Sequence, residues 1–354
     1  PAGRVNGKRR MRAIVFGAGG QMGRAVAAEL SARGWQVTAA TRGGRVLPPE
    51  LAGRVTPLAQ SGSDAETLAG TGTFDAVFTP NAMTAGDGAA LMGQRHRFGR
   101  LCVVSTASVH CDPQGRSLDS AAERGFPDFD DPLTEDSPVL PPGPGYSAGK
   151  AGMEQALQAP GITLLRPCAI WGIGARHPRE WWVVKRLLDG RAEVPLRAAG
   201  ESIFHTTSAT GLARLAALCL EQGADGPLLV ADAAAPSVAG IAATIAGAMG
   251  QPLQLIPANG LPEDLAHVGH TPWSAPKPIR VSTARARALG WQPDRYDAAT
   301  LAPYLRWLAA QAGDWRSAFP AFARYPHDPF DYAAEDRALA LLRGGAADPI
   351  PAPC

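Results

Sequence analysis

The stretch RAIVFGAGGQMGRAVAAELSARG, Arg12 to Gly34, decides how the chain is read. Its first five residues, RAIVF, are apolar and β-branched enough for a short strand, and from Gln21 to Gly34 apolar residues recur at helical spacing. Between the two, Gly17, Gly20 and Gly23 stand as G-x-x-G-x-x-G. Glycine in such a turn lets the backbone bend tightly and approach a pyrophosphate, whose charge then meets the helix N-terminus. With 40 glycines in the chain, roughly 0.5 such triples are expected by chance. The spacing alone is therefore weak, and its place between a strand and a helix makes it a dinucleotide-site candidate. Gln21 and Met22, inside the turn, belong to that candidate site.

Working outward, WQVTAATR (35–42), FDAVFTP (74–80) and RLCVVSTAS (100–108) read as further strands with helical stretches between them. Continuous apolar strands of this kind argue for a parallel sheet covered on both faces. The first half is thus expected to be a doubly wound, Rossmann-type α/β sheet. Beyond it, GITLLRPCAIWG (161–172) and GPLLVADA (226–233) read as strands. REWWVVKRLLDG (179–190), ATGLARLAALCLEQG (209–223) and SVAGIAATIAGAMG (237–250) read as helices. The expected organisation is a disordered basic arm over 1–11, with Met11 as a natural start, and a nucleotide-binding domain over 12–165. A smaller, mostly substrate-binding α/β region follows over 166–345, with some segments returning to the first domain, and then a frayed tail over 346–354. Residues 111–144, dense in Asp, Pro and Gly, form an insertion without a period, the mark of a functional or a disordered loop.

The formal charge of +2 over 354 residues lacks the basic excess a nucleic-acid binder needs. The cluster Arg4, Lys8, Arg9 and Arg10 is the one local exception. No stretch approaches eighteen apolar residues, and the N-terminal segment is too glycine-rich for a signal-peptide core. A cytoplasmic protein with a small-molecule partner, no nucleic acid and no membrane is expected. Cys102, Cys111, Cys168, Cys219 and Cys354 are scattered without C-x-x-C, so neither a disulfide framework nor a zinc site is indicated. In HVGH, His267 and His270 read as a loop pair rather than a metal site.

Two features carry chemistry beyond the glycine turn. The second strand ends AATRGGR, with no acid at its tip but Thr41, Arg42 and Arg45 nearby. A guanidinium pairs with a 2′-phosphate where a carboxylate would repel it, so NADP is favoured over NAD. In GYSAGKAGMEQAL (145–157), Tyr146 precedes Lys150 by four residues, which puts both on one helix face. With only five Tyr in the chain and a similar number of Lys, about 0.06 such pairs are expected by chance.

Together the glycine turn, the strand VVSTASV ending in hydroxyls, Y-x-x-x-K and the later LRP resemble the extended short-chain dehydrogenase/reductase family. RVSTARARALGWQPDRYDAATLAPYLRWL (280–308) looks like that family's closing segment, so the resemblance spans about residues 12–310. It implies an NAD(P)-dependent oxidoreductase or epimerase with Tyr146 as general acid or base. Lys150 would then bind the nicotinamide ribose and lower the tyrosine pKa. Thr106, three residues before Val109, would orient the substrate oxygen, with Ser105 as rival, and Pro167 of LRP would adjoin the cofactor. A homodimer through the Tyr146 helix is common in the family. The favoured activity is NADP-dependent reduction of a carbonyl, or oxidation of an alcohol, in a small or medium-sized metabolite. An epimerase is the alternative, and a non-catalytic dinucleotide sensor is the reading from another class.

The chain also departs from the family. His110 and Cys111 follow Val109 where tyrosine and glycine are usual, so His110 either faces the substrate or is a structural hydrogen-bonding residue. Ala169 stands where nucleotide-sugar enzymes place asparagine, and Glu201 about where they place arginine; a glutamate there repels a diphosphate. Arg176, Arg179 and Arg186 are the remaining cations for such a substrate. The Asp-Glu pair of the 4,6-dehydratases is replaced by Ala107 and Ser108. The 111–144 insertion leaves the sheet at Thr106 and returns at Tyr146, so it is expected to wall the substrate pocket. Arg176, Trp181 and His205 are expected opposite it, although Trp181 and Trp182 suit core or interface packing equally well.

Overall fold

The computed structural model describes residues 9–43 and 46–344. Arg4, Lys8 and most of the expected arm, Arg45, and the expected tail with Cys354 lie outside the described residues.

The first half runs β1 (Arg12–Val15), α1 (Gln21–Ala32), β2 (Gln36–Arg42), β3 (Thr56–Gln60), α2 (Asp64–Gly70), β4 (Phe74–Thr79), α3 (Ala85–Gly93) and β5 (Phe98–Val104). Then come α4 (Ala121–Arg124), α5 (Tyr146–Ala156), β6 (Ile162–Pro167), β7 (Ala169–Trp171), α6 (Trp181–Leu188), β8 (Glu193–Leu196) and β9 (Thr206–Ser208). The chain continues through α7 (Ala209–Gln222), β10 (Gly226–Val230), α8 (Val238–Met249), β11 (Gln254–Pro257), α9 (Ala284–Ala288), α10 (Ala298–Ala309), α11 (Trp315–Ala318) and α12 (Tyr332–Gly344).

Seven strands form one parallel sheet in the order β10-β6-β5-β4-β1-β2-β3. The chain moves outward from β1 through β2 to β3 and then crosses to β4 on the other side of β1. The carboxyl ends of β1 and β4 therefore flank a topological switch point, where doubly wound sheets open a crevice. The glycine turn leaves β1 at that crevice. On one sheet face Val26 and Leu30 of α1 pack with Leu212, Leu215 and Ala216 of α7 and with Trp35 and Trp291. On the other, Leu91 of α3 and Met153 of α5 meet Leu157 and the strand residues Val77, Leu101 and Leu164. Each fully buried large apolar side chain of this kind contributes about 1.5–3 kcal/mol relative to exposure. β10 and α7 come from the second half of the sequence and yet complete this layer, β10 pairing with β6 along Gly226–Val230.

Two stretches differ from the sequence expectation. GITLLRPCAIWG is two strands, because Cys168 turns the chain out of the sheet, its N–H bonding the Thr207 hydroxyl at 3.0 Å. β6 stays in the main sheet while β7 pairs with β9 in a separate ladder. The 111–144 insertion is anchored at several points: His110 bridges Val139, Leu133 bridges Val281, and the Glu135 carboxylate accepts the Leu229 N–H at 2.9 Å. Among the described residues no helix is long and apolar enough to cross a membrane.

The remaining elements gather around α6, α8 and α10. Their core contains Trp171, Trp181, Trp182 and Trp273, closed by Trp315, Phe319, Phe322 and Phe330 from the segment after α10. That closing segment shows little periodicity in the sequence, because it is fixed by ring-to-ring packing rather than by an amphipathic stripe.

Candidate active site

The glycine turn forms a cradle. Gly17 adopts φ +65°, a left-handed conformation that favours glycine. A Cβ on Gly23 would lie 2.3 Å from the Gly17 carbonyl oxygen, so α1 approaches β1 only because that Cβ is missing. Gly20 begins α1 without a side-chain cap, which leaves the first N–H groups open to an anion. The turn, with Gln21 and Met22, floors a cavity of about 630 Å³. Thr41 and Arg42 at the tip of β2, Asn81 after β4, and Arg176 complete its wall. Arg176, expected at the substrate, thus belongs to the glycine cavity.

Beside it, Arg42, Asp64 and Asn81 border a smaller cavity of about 150 Å³. The Asp64 carboxylate is buried and accepts hydrogen bonds from the Gln60 amide at 2.6 Å, from the Asn81 amide at 3.0 Å and from the Thr79 hydroxyl. Sequence reasoning missed Asp64. Its signal was S-x-x-E over Ser63–Glu66, which here forms a capping box and so fixes the first turn of α2.

Thr106 and Tyr146 border a second cavity, of about 440 Å³. Thr106 lies two residues beyond the end of β5, and its hydroxyl lies 2.8 Å from that of Ser108. Tyr146 is the first residue of α5 and is 51% exposed. Gln21 borders both this cavity and the glycine cradle. Pro167, expected beside the cofactor, borders the Tyr146 cavity at the end of β6. Ser105 is 2% exposed, and its hydroxyl oxygen is buried without a partner among the described residues.

The tyrosine does not show the depressed pKa that the resemblance implies. Burial raises the Tyr146 pKa above its usual value, and the Asp119 charge adds to the rise; the Thr106 hydrogen bond and the Arg179 charge oppose it without cancelling it. Lys150 is turned elsewhere. Its ammonium is 2% exposed and donates at 2.7 Å to each of the Ala82 and Val104 carbonyls. Burial lowers the Lys150 pKa to about 8, against the opposing pull of Glu154 and Asp87. The lysine therefore ties the ends of the central strands together while remaining mostly protonated at neutral pH.

Three expected substrate residues, His110, His205 and Trp181, do not line the Tyr146 cavity. His110 is fully buried, with Nδ1 3.2 Å from both the Ser137 and Pro138 carbonyls and Nε2 3.3 Å from the Arg166 guanidinium. These partners require Nδ1 to donate and Nε2 to accept, so the ring is neutral, and burial lowers its pKa to about 4. Arg166 in turn grips both carboxylate oxygens of Glu154 on α5. This buried network locks β6 to the helix that carries Tyr146. His205 is likewise committed: Nε2 donates to the Asp232 carbonyl at 3.0 Å and Nδ1 accepts from the Val281 N–H at 3.3 Å. Trp181 is 1% exposed and packs against Trp315 and Phe319 in the core.

The insertion walls the Tyr146 cavity with Leu118, Asp119, Phe129 and Leu133. Asp119 also accepts the Ser147 N–H at 2.8 Å. It thereby supplies the cap that Gly145, the residue preceding α5, cannot. Opposite lie His177, Arg179, Phe204 and Ile279. His177 hydrogen-bonds through Nε2 to the Tyr325 hydroxyl at 2.8 Å, a contact from the closing segment that no local sequence signal announces. His267 and His270 border a separate cavity of about 370 Å³, where His267 stacks on His327. Among the described residues no group of three His, Cys, Asp or Glu side chains could hold a metal ion.

No family model matches the chain, and no curated protein matches it significantly by sequence. Solved structures do. WbmH of Bordetella bronchiseptica, solved in complex with NAD+, superimposes with a TM-score of 0.64 at 14% identity, covering 86% of this chain and 100% of that one. UDP-glucose 4-epimerase of Thermotoga maritima, solved with UDP-glucose, gives 0.62 at 16% identity, covering 85% and 99%. DesIV, a dTDP-glucose 4,6-dehydratase from Streptomyces venezuelae solved with NAD, gives 0.61 at 20% identity, covering 87% and 100%. The chain has their fold.

Proposed function

We propose that the chain is an NAD(P)-dependent oxidoreductase of the extended short-chain dehydrogenase/reductase type, acting on the carbonyl or alcohol of a small or medium-sized metabolite. One observation carries this reading: Thr106 and Tyr146 face a cavity that shares Gln21 with the glycine cradle. The cradle fits a dinucleotide, since the missing Cβ of Gly23 lets α1 close on β1 and the uncapped first turn after Gly20 leaves N–H groups for a pyrophosphate. When bound, that cofactor supplies or accepts the hydride. Tyr146 then gives a proton to the substrate oxygen in reduction, or takes it in oxidation, and Thr106 orients that oxygen. The raised pKa keeps the tyrosine protonated and ready to donate at neutral pH. Lys150 holds the strand ends on which this geometry rests, and the region after β6 contributes the opposite wall.

Arg42 at the β2 tip supports NADP, since its guanidinium suits a 2′-phosphate. NAD in the structurally similar enzymes supports the alternative, an epimerase that retains its cofactor through both half-reactions. The deciding experiment is to denature the purified protein, identify any released nucleotide by mass, and test exchange of the native protein with NADPH and NADH. Freely exchanging NADP supports the reductase. Tightly retained NAD supports the epimerase, and no affinity for either nucleotide overturns both.

A further inference from the structure

The buried and half-buried arginines of the second half differ in one respect. Arg166 and Arg186 are buried and each is neutralised by a carboxylate, Glu154 and Glu335 respectively. Arg179 borders the cavity of Tyr146, and its Nε is buried without a partner among the described residues. Its guanidinium lies over the ring of Phe204, 5.8 Å from the centroid, on the same cavity wall. Its sequence neighbour Glu180 attracts it electrostatically but forms no ion pair with it: that carboxylate is 1% exposed and turned to the hydroxyls of Tyr296 and Tyr304. A half-buried guanidinium with no direct ion pair among the described residues is costly in the free protein and is relieved by an anion that enters the cavity.

The cavity also defines the anion. Among the described residues Arg179 is the one lysine or arginine lining it, His177 is held neutral with a pKa of about 4 by burial and the nearby Arg179 and Arg324 charges, and Asp119 adds a negative charge to the lining. A diphosphate would meet one cation and one repelling carboxylate there. A single carboxylate matches the planar fork of one guanidinium in two parallel hydrogen bonds. The rest of the wall, including Phe129, Leu133, Ile170 and Phe204, is apolar.

We propose that Arg179 is the specificity-determining residue of this cavity and that the substrate is a carbonyl or hydroxy compound bearing a carboxylate, which pairs with Arg179 while its reacting oxygen lies at Tyr146. This inference rests on the oxidoreductase reading above and names the substrate class for it. Arg186 is excluded from the role by its pairing with Glu335, and Arg176 by its place in the glycine cavity.

The test uses a matched pair of probes, phenylglyoxylate and its methyl ester, titrated calorimetrically into the wild-type protein in the presence of the nucleotide it binds. NAD(P)H oxidation is followed in parallel. The expected result is that the acid binds about tenfold or more tightly than the ester. Arg179→Met should bring the two affinities together by weakening the acid and sparing the ester, and Arg179→Lys should keep part of the preference. Circular dichroism melts establish that each variant is folded. Equal or better binding of the ester by wild type, no binding of the acid, or a preference that survives in Arg179→Met overturns the proposal. Ester turnover that needs Tyr146, without preference for the acid, rejects the carboxylate and leaves the oxidoreductase reading standing. An Arg179-dependent preference for the acid without nucleotide affinity supports the anion site and rejects that reading.

Discussion

Lys150 donates one hydrogen bond to Val104, the last residue of β5, and another to Ala82 beyond the end of β4. The ammonium thus spans two adjacent strand ends beneath the candidate catalytic residues. Its pKa, lowered from 10.5 to about 8, makes this tie sensitive to alkali. Between those two values the unfolded chain binds a proton that the folded chain has released, so raising the pH favours the folded state through this group. Relative to Lys150→Met, which lacks the titration, the wild-type unfolding free energy should rise from pH 8 to pH 10.5. Urea melts of both proteins at several pH values measure it, and a constant difference would sink the assignment.

Tyr146→Phe keeps the ring on the cavity wall and deletes the proton. Turnover should fall by about 10²–10⁴-fold, the range for loss of a positioned acid. Nucleotide affinity should stay within about twofold, because the lost interaction belongs to the chemical step. Stopped-flow turnover and fluorescence titration of the nucleotide separate the two. Retained turnover would rule out Tyr146 as the acid.

The glycine turn makes a sharper contrast. Gly23→Ala places a methyl carbon 2.3 Å from the Gly17 oxygen and must push α1 away from β1, whereas the nearest atom to a Cβ on Gly20 is at 3.4 Å. Dinucleotide affinity should drop about 100-fold in the first variant, roughly 2.8 kcal/mol, and by less than about threefold in the second. Similar affinities in both would show that the cradle is not where the nucleotide binds.

Asp119→Ala should have two separable effects. Loss of the hydrogen bond to the Ser147 N–H uncaps α5 and costs about 1 kcal/mol, read as a lower unfolding midpoint. Loss of the charge removes one of the influences that raise the Tyr146 pKa. The alkaline limb of the tyrosine's titration, followed by ultraviolet difference absorbance against Tyr146→Phe, should then move to lower pH. A limb that stays in place would mean that Asp119 acts on the helix alone.

Much of this arrangement is legible in the sequence. The strand, glycine turn and helix over 12–34 fix the sheet because all three signals are local. Tyr146 and Thr106 share a cavity, as the family resemblance implies, although forty residues separate them. The histidines were not legible. His110 and His205 carry the right chemistry for a site, but their ring nitrogens are consumed by backbone groups and by Arg166, partners far away in the chain. Trp181 shows the same limit, since its spacing cannot reveal that Trp315 and Phe319 return to cover it. Arg179 appeared in the sequence as one of three equivalent cations. Only the pairing of Arg186 with Glu335 and the position of Arg176 separate it from the others.

The hydrogen bond between Tyr325 and His177 reaches from the closing segment into the wall beside Tyr146. Residues far downstream of the sheet therefore edit the shape of a pocket whose candidate reacting groups, Thr106 and Tyr146, stand before residue 151. On the proposed reading, removing the chain from Tyr325 onward would be felt as altered substrate choice well before it was felt as loss of nucleotide affinity.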